Sequence, residues 1–168
     1  AASGVTLRGL RVSGSGESHD GVDAGILLEG DDHRVEDNDI DDVLFGIHLK
    51  QVKRSRIAGN RVTGKPLDLG MRGDAIRLWY SQGNLVEGNR FRRARDLTFA
   101  NSADNRVIGN SFLDGRYGMH VIFSPRLLIE RNRLENTGTG IIVLYSPDLV
   151  VRGNHVAHAL TGGGGGIV

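Results

Sequence analysis

One short pattern, apolar-x-x-Asn-x-apolar, recurs six times along the chain and limits what it can fold into. The copies are Val35-Glu36-Asp37-Asn38-Asp39-Ile40, Ile57-Ala58-Gly59-Asn60-Arg61-Val62 and Val86-Glu87-Gly88-Asn89-Arg90-Phe91. They continue with Val107-Ile108-Gly109-Asn110-Ser111-Phe112, Ile129-Glu130-Arg131-Asn132-Arg133-Leu134 and Val151-Arg152-Gly153-Asn154-His155-Val156. Successive asparagines lie 22, 29, 21, 22 and 22 residues apart. A fixed period of that size implies a solenoid, whose units bury their apolar faces only against their neighbours.

The second half of each unit alternates in period two, as in Gly46-Ile47-His48-Leu49, Ala75-Ile76-Arg77-Leu78, Gly118-Met119-His120-Val121 and Gly140-Ile141-Ile142-Val143. Such alternation, rich in Ile, Val and Leu, means strands with one buried face. The expected fold is all-β: a right-handed single-stranded parallel β-helix of about seven coils, forming one domain over residues 1–168. A leucine-rich repeat shares the period and the Asn. However, its Leu position eight before Asn holds Ser81, Ser102, Ser124 and Ser146, and no helical period fills the remainder. The asparagines should take the left-handed bend between strands and bond to one another up the stack, because the amide carries donors and an acceptor. Asn84 and Asn105 suggest a second, shorter ladder. Leu7-Arg8-Gly9-Leu10-Arg11-Val12 reads as a degenerate first copy. Seven extra residues between Asn60 and Asn89, near Lys65 to Met71, should form a loop on one face, as binding loops do.

With no cysteine, disulfides, thiolate metal sites and cysteine nucleophiles are excluded. No run approaches the roughly 18 apolar residues of a membrane span. Ala1-Ala2-Ser3-Gly4 lacks the basic and apolar regions of a signal peptide. The terminal Gly162 to Val168 looks like the approach to a further strand, so the chain reads as a fragment or mature core of a longer protein. Residues 1–48 hold 11 acidic and 3 basic side chains, against 9 and 18 in residues 49–168. That asymmetry suggests two differently charged surfaces, or a docking polarity along the solenoid axis. The acidic stretch Asp20, Asp23, Asp31, Asp32, Asp37, Asp39, Asp41 and Asp42 could offer calcium hard oxygen ligands, with solvated turn carboxylates the plainer reading. Arg90, Arg92, Arg93 and Arg95 lack interleaved stacking aromatics, which argues against nucleic acid.

Counting by repeat places His48, Arg77, Thr98, His120 and Ile142 on one outward strand face. His48 and His120 would then lie three coils, or roughly 14 Å, apart, too far to share an ion. Met119 should point inward, yet Met119 and His120 are the thioether and imidazole types that copper selects. Arg95 and Arg116 fall at equivalent positions of adjacent coils, so Asp74, Asp96 or Asp114 should neutralise them. Clustered carboxylates with strand-face arginines also admit a carbohydrate-active β-helix, a polyuronate lyase or epimerase, or a carbohydrate-binding module. Gly30-Asp31-Asp32 is only a fragment of such a pattern.

Three segments arrive in consecutive coils: Arg72-Gly73-Asp74-Ala75-Ile76-Arg77-Leu78-Trp79, Arg95-Asp96 and Arg116-Tyr117-Gly118-Met119-His120. With Val5-Thr6-Leu7-Arg8-Gly9-Leu10 and Asp23-Ala24-Gly25-Ile26, they make the chain resemble the NosD family of nitrous-oxide-reductase maturation proteins. The resemblance implies a periplasmic, non-enzymatic β-helix that binds or transfers copper. It implies docking on ABC transporter subunits, receipt of copper from a chaperone and delivery to nitrous oxide reductase. By the same resemblance His120 becomes a metal candidate, joined from the strand-face and donor-type reading by Met119 and His48. Arg116, Tyr117, Arg95, Asp96, Asp74 and Trp79 become the partner or ligand surface by resemblance, and Arg77 joins them from the same strand face. The chain departs from the family pattern at Val121-Ile122, where a Tyr-Met pair is usual, and at Val143-Leu144-Tyr145-Ser146.

Overall fold

A computed structural model describes residues 2–158 and 164–168. Apart from one 3-10 turn, Leu69–Met71, its regular structure is strand, and every strand pair is parallel. The parallel β-helix expected from the repeats is the observed architecture, and the leucine-rich alternative falls for want of a helical half. Each of the first six coils contributes strand to each of three faces, and the seventh to the first two. The first face is a seven-stranded sheet, built from Thr6–Arg8, Arg34–Glu36, Arg56–Ala58, Leu85–Glu87, Arg106–Ile108, Leu128–Glu130 and Val150–Arg152. The second follows the asparagine and the third carries the alternating segments. Ser111–Ile122 and Arg133–Leu144 run unbroken around the corner that joins these two faces.

Register is what the period demands. On the first face Leu7, Val35, Ile57, Val86, Val107, Ile129 and Val151 pair in sequence. On the second, Val12, Ile40, Val62, Phe91, Phe112, Leu134 and Val156 do the same. These columns and the inward Ile26, Ile47, Ile76, Leu97 and Ile141 of the third face form one continuous core. The degenerate first copy is a true coil, with Leu10 N–H donating to Asn38 Oδ1 at 2.9 Å.

The asparagines form an unbroken ladder. The backbone N–H and the side-chain amide of Asn38 both donate to Asn60 Oδ1 (3.0 and 2.9 Å), and the motif repeats through Asn89, Asn110, Asn132 and Asn154. Each Nδ2 also donates to a carbonyl of the preceding coil, as Asn60 does to Val35 (2.8 Å). Their backbone differs from the expected one. The left-handed residue is the one before the asparagine: Asp37, Gly59, Gly88, Gly109, Arg131 and Gly153 have φ between 54° and 64°. That explains the glycines of the repeat, since Gly meets no Cβ penalty there. The serine column is real, Ser81, Ser102 and Ser124 donating backbone N–H to the next Ser Oγ at 2.8–3.1 Å. The short Asn84–Asn105 ladder extends back through Ser55 to His33.

Two excursions leave the corner between the second and third faces. The expected one, Lys65 to Met71, is tied down by Arg72, which donates to Leu67 O (2.8 Å) and, across to Asp114 O, at 3.1 Å. The other, residues 14–23, joins Arg11–Ser13 to Ala24–Leu28 and went unread in the sequence. His19 links the two, its Nε2 lying 3.0 Å from Met71 O and its ring edge-on to Phe45. Of the terminal stretch, Gly162 and Gly163 lie outside the described residues, while Ile167 forms a single parallel bridge with Ile141.

Candidate functional site

The charge asymmetry resolves into ion pairs between neighbouring coils. Arg54 holds Asp31 and Asp32 at 3.1 and 2.9 Å, Arg61 holds Asp39 at 3.1 Å, Arg8 holds Asp37 at 3.4 Å and Lys65 holds Asp42 at 3.5 Å. These solvated pairs each contribute little. Among the described residues, no three His, Asp or Glu side chains gather around one point. The calcium expectation therefore has no grouped oxygen ligands behind it among the described residues.

The organised chemistry lies on the corner of coils three to five. A small residue precedes the inward residue of the third face in most coils: Gly25, Gly46, Ala75, Gly118 and Gly140. The fourth coil puts Asp96 there instead, 1% exposed. Its carboxylate accepts Tyr117 N–H at 3.0 Å and both Nε (3.2 Å) and an η-nitrogen of Arg116. Asp74, 2% exposed, accepts Arg95 Nε at 3.2 Å, and Arg95 also lies 3.8 Å from Asp96. Burial pushes the Asp74 carboxyl above the usual carboxylate range, partly offset by the neighbouring Arg95 cation. The Asp96 contact raises the Arg116 guanidinium above its ordinary value. Two carboxylates thus balance two guanidiniums. Arg116 lies over the Tyr117 ring (4.2 Å to the centroid), and Tyr117 meets His120 edge-to-face at 5.7 Å.

The structure therefore brings together Asp74, Arg95, Asp96, Arg116, Tyr117 and His120. Among the described residues no protein hydrogen bond ties the His120 ring. Met119 does not join them, because it lies wholly inside the core at 0% exposure. His48, Arg77, Thr98, His120 and Ile142 share one outward column, as expected, and Leu27 heads it. His48 and His120 are therefore three coils apart, roughly 14 Å at strand spacing. Arg77 and Trp79 lie toward the His48 end, Arg77 at 5.2 Å from the Trp79 ring centroid.

His48 faces outward yet is only 5% exposed, which the column pattern did not signal. It lines a cavity of about 300 Å³ with Asp20, Gly21 and Val22 of the unread loop, Leu27, Lys50, Arg77 and Trp79. Burial, and then the Arg77 and Lys50 charges, hold its imidazolium pKa down at about 4. An unfolded chain would take up that proton near pH 6.5, so it binds more protons than the native state between those values. Stability from this group is present above pH 6.5 and lost as pH falls toward 4. Thermal melts should show wild type losing about 2–3 kcal/mol more than His48→Leu across that window. Equal losses in both proteins would contradict the assignment.

Fold and site together define a parallel β-helix with a charged and aromatic cluster on its outer wall, supported by buried carboxylates. A family model described as "Periplasmic copper-binding protein (NosD)" matches residues 57–164, well over half of the chain. The chain belongs to that family, which is periplasmic. It is similar to a "Probable ABC transporter binding protein NosD" of Pseudomonas aeruginosa, 36% identical over 95 residues. That match covers 51% of this chain and 22% of the relative's length, so the chain spans a minor part of that protein.

Proposed function

We propose that this β-helix is a periplasmic copper accessory module. It meets a Cu(I) ion at His120 and docks on a partner through Arg116, Tyr117 and their neighbours. The observation that carries this reading is the constellation around Asp96 in a chain of a family described as copper-binding. Copper(I) favours thioether and imidazole donors. Here the Met119 sulfur is buried in the core, so the outer wall offers one imidazole. Copper is then cargo rather than a resident cofactor, and further donors come from the docked protein. The Asp74 and Asp96 carboxylates offset the Arg95 and Arg116 guanidiniums beside His120. The relative's name supports an ABC transporter as one partner. A copper chaperone and nitrous oxide reductase complete the chain of transfer in this reading.

The test is Cu(I) competition against a chromophoric chelator, in wild type, His120→Ala and Met119→Leu. Wild type should bind at least about tenfold more tightly than His120→Ala, equivalent to about 1.4 kcal/mol. Met119→Leu should match wild type. Equal affinity of His120→Ala and wild type would remove the site.

A further inference from the structure

The His48 cavity lies at the opposite end of the outward column from His120, and nothing in the copper reading uses it. Both ring nitrogens of His48 are buried without a hydrogen-bond partner among the described residues, and so is Nε of Arg77. Buried polar groups left unmade cost about 1–3 kcal/mol each, so three in one cavity point to something they bind. The Arg77 guanidinium lies 5.2 Å from the Trp79 ring centroid and 5.9 Å from that of Phe45. None of the ion pairs among the described residues engages it. Lys50, by contrast, is held by Glu29 at 3.1 Å.

We infer that this cavity binds a small hydroxylated carboxylate of the sugar-acid type. The carboxylate would accept from Arg77 Nε and from the N–H of His48. A neutral imidazole keeps one donor and one acceptor, so its second nitrogen can receive a hydroxyl proton. Asp20 on the rim is a further hydroxyl acceptor, while Leu27, Val22 and Trp79 provide apolar wall for a sugar ring. A volume of about 300 Å³ suits one monosaccharide unit rather than a chain. A metal ion is the poorer fit, since the guanidinium beside His48 would repel it. A bare inorganic anion would leave Trp79, Val22 and Leu27 without a role.

Trp79 is the only tryptophan, so its emission reports on this cavity alone. The 168-residue chain would be titrated with galacturonate and glucuronate, with glucose and inorganic phosphate as comparators. A saturable change with a sugar acid, at a Kd of millimolar order or tighter, is expected. Glucose and phosphate should each bind at least about tenfold more weakly. Arg77→Gln and Arg77→Lys, the latter keeping charge but not Nε, should both lose at least about tenfold. In wild type, the His48 ring resonances, identified by their absence in His48→Gln, should shift on titration. No saturable change up to about 50 mM sugar acid would overturn the proposal. So would an equal response to glucose or phosphate, or undiminished binding by a folded Arg77 variant. His120→Ala should titrate like wild type, so failure here leaves the copper reading standing, and the converse holds.

Discussion

Asn89→Ala is expected to destabilise the coil stack by about 4 kcal/mol. Asn89 is wholly buried, at 0% exposure. Its Oδ1 accepts both the backbone N–H and the side-chain amide of Asn60, at 3.0 and 2.9 Å. Its Nδ2 donates to Ile57 O and to Asn110 Oδ1, both at 2.9 Å. Alanine removes four bonds and strands groups on two other coils in a dry interior, where each unmet group costs about 1–3 kcal/mol. Asn154, which ends the described ladder, has no further asparagine to receive its amide and is only partly buried. Asn154→Ala should therefore cost less than half as much. Denaturant unfolding with unchanged slope reads both numbers. Losses below about 1 kcal/mol at Asn89 would mean that the ladder is decoration on a stack held by its apolar columns alone.

Asp96→Ala should cost about 3–4 kcal/mol and also dissolve the outer-wall cluster. The carboxylate holds Arg116 through two bonds, caps Tyr117 N–H and sits 1% exposed in a corner otherwise lined by Gly and Ala. Truncation leaves Arg116 without its charge partner and the part-buried Tyr117 N–H without an acceptor. Arg116 then leaves the Tyr117 face, and the edge-to-face contact with His120 loses its support. Copper(I) affinity and partner capture should fall together in the folded variant. Arg116→Ala should affect partner capture more than stability, because Arg116 is itself half exposed. If Asp96→Ala melts like wild type, the buried carboxylate is not the keystone described here.

The coil architecture was open to reading because a solenoid repeats its physics every turn. Inward Val and Ile, an amide that must bond upward and a turn all fall at fixed offsets. Outward neighbourhood was equally readable: His48, Arg77, Thr98 and His120 align by counting alone. What counting cannot supply is the covering of a column by a non-repeating segment. Residues 14–23 fold over His48 and turn an outward position into a buried one, and nothing periodic announces it. The asparagine side chain suits the left-handed bend, yet the residue before it takes that bend. The glycine before it, in four of the six repeats, was the better signal. Bulky Tyr80, Phe123 and Tyr145 also adopt positive φ, in the turn slot that Asn101 fills in the fourth coil. There the stacked coils impose a conformation that local preference opposes. Asp96 was visible as a partner for arginine, but its burial in a corner of small residues was not.

Copper-edge anomalous diffraction from crystals of the Cu(I)-loaded protein tests the central claim most directly. A peak within bonding reach of a His120 ring nitrogen, beside Tyr117 and clear of Met119, is the predicted result. A peak at His48, at His19 or inside the core, with none at His120, would contradict it.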